Sequence, residues 1–175
     1  EPLDVHDTAQ LDQLIEVAAN GDQRLLVDLA AQTEAEIYNW IESGAVIDLA
    51  GELGIDLRFW HVMDDGKDAV ALLTRLLDHY NDNAGFVVVL NQGRGTDFKL
   101  FHESDAAARV QRAGIPVIEL RALNRPSMLH IDRHDKSFWA AINHGDGDTA
   151  LGIMQRQRVK VWLKHAFAEF ERVGA

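Results

Sequence analysis

Cysteine is absent from the chain, which excludes a disulfide framework, a thiolate metal site and a cysteine nucleophile. No apolar run approaches the roughly 20 residues that span a bilayer, and no signal peptide opens the chain, so a cytoplasmic protein without a transmembrane segment is expected. Positive charge is scarce. Lys and Arg number 17 against 28 Asp and Glu, a net charge of −11. That balance argues against broad electrostatic binding to nucleic acid or anionic membrane and leaves room only for a local basic patch. There is no G-x-S-x-G elbow for Ser/His/Asp catalysis, no internal repeat and no low-complexity linker. What is present is ordinary for a folded protein: 175 residues, 47% hydrophobic and 26% charged. Residues 1–175 are therefore expected to form a single α/β domain with a sizeable core.

Hydrophobic periodicity organises the chain into alternating helices and strands. Leu11, Leu14, Ile15 and Ala18 give the i, i+3, i+4, i+7 set of an amphipathic helix. In QRLLVDLAAQ, Gln23 to Gln32, the run Leu25-Leu26-Val27 predicts a buried strand with Asp28 at its C-terminal edge. Thr33 and Glu36 follow at the spacing of a capping box and predict the next helix. Ser43-Gly44 interrupts, and a second helical piece runs to about Leu53, where Gly54 ends it. Leu57–Met63 predicts a second strand, Asp65 a helix cap, and Val70, Leu73, Leu76 and Leu77 a core helix face. Phe86–Leu90 is β-branched and uncharged, as in a parallel sheet covered on both faces. A helix over Glu103–Ala113 and a strand over Ile115–Leu120 follow. Arg121–Asp135 is expected to be irregular, with a short helix over Ser137–Asn143 (Phe138, Trp139 and Ile142 inward), a turn over His144–Asp148 and a closing helix over Thr149–Val173. The alternation predicts βαβ units: a mostly parallel, twisted sheet centred on Val27, Trp60, Val88 and Val117, with helices on both faces.

Three stretches could carry chemistry. Asp28 and the loop NQGRGTDF after Leu90 should lie at the carboxyl edge of the sheet, where α/β proteins bind ligands. Asn91 offers an amide donor and acceptor side by side, suited to a purine edge. Gly93 and Gly95 permit close backbone approach, and Arg94 could meet a phosphate or a partner's carboxylate. A plain loop and a local turn cap explain the same residues. His130–Asp135 crowds imidazoles with carboxylates, but no spacing fixes them to one helix face, so a solvated polar loop is expected over a metal site. The last helix sets Arg156, Arg158, Lys160 and Lys164 beside Ile153, Met154, Val161, Trp162 and Phe167. Packing on the sheet explains that pattern, as would lying on a membrane or DNA.

Taken together, VDLAAQT, FWHVMDDGKDAVALLTRLLD, FVVVLNQGRGTDF, GIPVIELRAL and SFWAAIN resemble the ParA/MinD-type P-loop ATPases. The likeness is nearest to variants carried in the transfer and stability operons of conjugative plasmids. It implies a P-loop NTPase-like, three-layer fold. In such a protein Asp28 matches the Walker B acid that holds Mg²⁺ through water, and Asn91, Gln92 and Arg94 fall in the nucleotide-binding loop, with Asn91 at the position that reads adenine. Asp28 and Asn91 would then face one crevice, on the order of 10 Å apart. The sequence departs from the family in lacking its K-G-G-x-G-K-[ST] loop, and Ala30-Ala31 stands in place of the glycine that follows the acid. It resembles the C-terminal two-thirds of such an ATPase, without the first strand, phosphate loop and first helix. ATP and Mg²⁺ are expected of an intact protein and neither of this chain, because a phosphate needs backbone N–H groups and a lysine around it. The implied function is a nucleotide-binding ATPase of plasmid partition, mobilisation or conjugative transfer. The implied partners are a second copy and transfer or partition proteins, with DNA contact weak or indirect. The alternative is a non-catalytic α/β scaffold that has lost nucleotide binding.

Overall fold

A computed structural model describes residues 3–21, 24–30, 32–80, 83–143, 147 and 150–175. The backbone divides into two units, one of Glu1–Phe59 with Tyr80–Gly85 and one of Trp60–His79 with Phe86–Ala175.

The first unit is built from α1 (Thr8–Ala19), α2 (Glu34–Ser43) and α3 (Val46–Glu52). Asp7 starts α1 by accepting the Ala9 N–H through Oδ1 at 3.0 Å, satisfying one orphan donor of the first turn. Leu11, Ile37, Trp40, Ile41, Val46 and Ala50 are buried. The Trp40 indole N–H is not left unpaired there: it donates to Asp12 Oδ1 at 2.9 Å. The Tyr80 ring stacks on Phe59 at 5.1 Å and meets Tyr38 edge-on at 5.4 Å.

Two expectations fail in this unit. Residues 24–30 form no strand and are all exposed, Leu26 to 91%. An apolar run supplies side chains for a strand but not the neighbouring backbone that must satisfy its N–H and C=O groups, and none of the described strands pairs with it. The capping box also fails. Thr33 precedes α2 without a side-chain cap, because its hydroxyl donates to the Ala30 carbonyl at 2.8 Å, and Glu36 lies 3.8 Å from His6 Nδ1.

The second unit carries the sheet. Its elements are β1 (Arg58–Met63), α4 (Lys67–Tyr80), β2 (Gly85–Asn91), α5 (Lys99–His102), α6 (Asp105–Arg112), β3 (Val117–Leu120), α7 (Arg125–Arg133), α8 (Phe138–Asn143) and α9 (Ile153–Arg172), with Arg58, Phe59, Tyr80 and Gly85 counted with the other unit. Among the described residues these strands form one small parallel sheet in the order β1-β2-β3. Val88 lies opposite Val117 and Asn91 opposite Leu120. Phe86 to Leu90 are buried without interruption. Because side chains alternate along a strand, Val87 and Val89 share one face, where Ile118, Trp60, Leu120, Phe170 and Val173 join them. Phe86, Val88 and Leu90 are buried on the other. Both faces of β2 are therefore covered, as its uncharged sequence predicts.

The free edge of β3 is closed by α9. The Arg172 guanidinium donates to the Val117 carbonyl at 2.8 Å, and the Trp162 indole N–H donates to the Arg121 carbonyl. Between them the Glu169 carboxylate lies beside the Glu119 backbone, and Arg172 holds Glu169 at 2.8 Å. Side chains thus occupy the hydrogen-bonding positions that a further strand would take.

Residues 121–135 correct a further expectation, since most of that stretch is α7. Pro126 in its first turn fixes a helical φ, and Ser127 and Ile131, four apart, are buried on one side. Trp139, expected inward, is 64% exposed, while Ala141 takes the core position in α8. The expected turn over 144–148 lies almost entirely outside the described residues. In α9 the inward positions are Val159 and Ala166, with Leu163 and Phe170 half-buried. Ile153, Met154, Val161 and Phe167 are all exposed.

Candidate functional site

Parallel strands bring their carboxyl ends to one edge, so the segments after Met63 and Asn91 can meet there. They do, through one carboxylate. Asp65 Oδ2 accepts the N–H groups of Thr96 at 2.9 Å and Asp97 at 3.2 Å. Donation from Asp97 first, then Thr96, holds the Asp65 carboxyl below its ordinary value of 3.8, against a smaller opposing effect of burial. Gly95 lies directly over this carboxylate. A Cβ there would stand 2.4 Å from Asp65 Cγ and 2.7 Å from its backbone nitrogen. Only a residue without a side chain fits that approach.

Other donors of the loop are engaged as well. Asn91 Oδ1 accepts the Gly93 N–H at 3.0 Å, and the Asn91 carbonyl accepts the Arg94 N–H at 2.9 Å. The Lys99 N–H reaches Asp97 Oδ1 at 3.1 Å. In the preceding loop the Gly66 N–H donates to Asp64 Oδ1 at 2.9 Å. The Gln92 N–H donates to the Leu120 carbonyl at 2.9 Å, while its side-chain amide donates to Glu119 Oε2 at 2.9 Å. Five of the seven amides from Gly93 to Lys99 thus have an acceptor within the protein: Gly93, Arg94, Thr96, Asp97 and Lys99.

Of the residues singled out in the sequence, Asn91 and Gln92 do stand at the carboxyl end of β2, half-exposed, and Arg94 is exposed on the loop. The Asn91 amide oxygen is turned onto its own loop, as a local cap would be. Asp28 belongs to the first unit and lies in the exposed segment without a strand. The His130 and His134 rings meet at 4.6 Å, tilted 59° to each other, at the end of α7, and among the described residues no three His, Asp or Glu side chains gather to hold a metal ion. Asp65, the centre of the knot, was legible only as a helix cap. The pairing of an acidic loop, DDG, with a glycine-rich one, QGRG, at successive strand ends was the available sign of it. In the first unit a depression of about 330 Å³, lined by Ile47, Ala50, Gly51, Ile55 and Leu57 among others, offers little chemistry beyond Asp56.

A small parallel sheet with strand-end loops makes this an α/β protein. Protein TraL of Escherichia coli is 24% identical to the chain over 178 residues, covering 96% of this chain and 72% of TraL. No protein-family model and no solved structure matches the chain. No helix among the described residues is long and apolar enough to cross a membrane.

Proposed function

We propose that the chain serves conjugative DNA transfer as an α/β interaction module of ParA/MinD likeness, acting through protein partners of the transfer apparatus and not as a self-sufficient ATPase. Similarity to TraL, a conjugative transfer protein, supports the first half. The observation that carries the second is the state of the loop amides. A phosphate cradle needs several N–H groups aimed at the ligand. Here Gly93 and Arg94 are bonded to Asn91, Thr96 and Asp97 to Asp65, and Lys99 to Asp97. These five amides are therefore committed to acceptors within the protein, which supports a role other than cradling the phosphates of ATP. Deleting the coding sequence from a transfer-competent plasmid should lower transfer frequency at least tenfold, with recovery on complementation. Unchanged transfer overturns the assignment.

A second reading is favoured by the place of Asn91 at the carboxyl end of β2, where α/β proteins bind ligands. In it the protein is a ParA/MinD-like ATPase that uses ATP and Mg²⁺. Asp28 serves the metal through water, and Asn91, Gln92 and Arg94 serve the nucleotide. It would be cytoplasmic, could pair with a second copy, and would touch DNA weakly or indirectly. Asn91→Ala would then weaken nucleotide binding at least tenfold, and an unchanged affinity rejects it.

A further inference from the structure

The 20 residues of α9 span about 30 Å at 1.5 Å per residue, and one face of this helix is fully outward. Met154, Gln157, Val161, Lys164 and Ala168 recur at helical spacing along it, all exposed. Met154 and Val161 retain 61% and 46% of their surface, and Phe167 beside them 56%. Lys160 and Arg158 flank the ridge. This basic, apolar face belongs to a protein whose charge is otherwise acidic. The acid is unevenly placed: the unit of residues 1–59 and 80–85 contains fourteen Asp and Glu against two Arg, a net of −12, and the rest of the chain sums to +1. Within the acidic unit, α3 exposes Asp48, Leu49, Glu52 and Leu53. Asp48 and Glu52 are four apart on their helix, as Lys160 and Lys164 are on theirs. Residues at that spacing lie about 5–6 Å from one another on a helix surface. The two rows can oppose each other in register, with Val161 against Leu49 and Leu53.

We propose that the outward face of α9 docks on α3 of a second copy of this chain. Charge complementarity selects the second copy. An anionic surface of another kind would satisfy the lysines but leave the matched Asp48, Leu49, Glu52 and Leu53 row unused. Because the two patches differ, the contact is heterologous, and it either closes into a ring or propagates. It stands independently of the transfer assignment above.

Sedimentation analysis of the 175-residue chain tests this at low and high salt. Concentration-dependent association at low salt, weakened at least tenfold in high salt, is expected. Lys160→Glu with Lys164→Glu should abolish it, as should Asp48→Lys with Glu52→Lys. An equimolar mixture of those two variants should associate again, since the unaltered α9 of one meets the unaltered α3 of the other and the two altered faces form the reversed pair, which also shows that each remains folded. A monomer at all concentrations overturns the proposal. So does association indifferent to either double variant, absence of rescue in the mixture, or association that requires added DNA or anionic vesicles.

Discussion

Asp65 and Gly95 concentrate the chemistry of the candidate site in two side-chain choices. The Asp65 carboxylate replaces the solvent of two loop amides, and its folded pKa is consequently depressed. A depressed pKa means that this support is complete above the ordinary carboxyl value of 3.8 and is lost as pH falls through the lower folded value. Amide exchange at Thr96 and Asp97 should therefore stay protected at neutral pH and rise selectively in acid below that value. Asp65→Ala should expose the same two amides at pH 7. Protection unchanged in the variant would show that the loop closes without the carboxylate. Gly95→Ala drives a Cβ into Asp65, and overpacking of this kind costs about 1–3 kcal/mol, readable as a lower denaturation midpoint. A variant as stable as the parent would mean that the loop yields. At this scale the sequence was half legible. Asn91 could be placed at a strand end because five uncharged apolar residues precede it. The partner of Asp65 could not, because it lies 31 residues away in the chain and nothing local encodes that distance.

Elements were more readable wherever periodicity alone decides them. The helices α1, α4, α6 and α9 and the strands β1, β2 and β3 fall where their apolar spacing places them, within a few residues. The segment Leu25–Leu29 shows where periodicity fails, since strand formation needs a paired neighbour as well as a suitable composition. Residues 125–133 show the converse: Pro126 in the first turn and two buried positions four apart sufficed for a helix amid many polar groups. The most consequential element is α9, whose Trp162, Glu169 and Arg172 finish the edge of β3. Arg172 first, through its hydrogen bond, holds the Glu169 carboxyl below its ordinary value, so the Glu119 backbone faces a charged carboxylate at neutral pH. Glu169→Ala should accelerate exchange of the Glu119 amide and leave that of Ile118, which faces β2, unchanged. Equal acceleration at both would indicate loss of the whole strand pair. In the core, Leu90 is 2% exposed, and Leu90→Ala should cost about 2–5 kcal/mol in chemical denaturation. A loss well below that range would mean the β2 core collapses onto the gap.

For the whole molecule, the total charge of −11 conceals a strongly acidic unit and one near neutrality. Composition gave the total; only the division of the backbone showed where the charge lies. The α/β class and the parallel sheet were legible from the alternation of apolar runs and capped helices, while the nucleotide site suggested by likeness to ParA/MinD-type ATPases depends on donors that composition cannot count. In the loop after β2 the amides of Gly93, Arg94, Thr96 and Asp97 are bonded to Asn91 and Asp65, and the proposal that the chain is not a self-sufficient ATPase rests on their staying so. Titration of the 175-residue chain with Mg²⁺ and ATP, followed at the amide resonances of Gly93, Arg94, Thr96 and Asp97, tests it most directly. No saturable shift is expected at these amides up to millimolar nucleotide. Micromolar affinity with all four resonances displaced would contradict it, because those amides would then have left Asn91 and Asp65 for the phosphates.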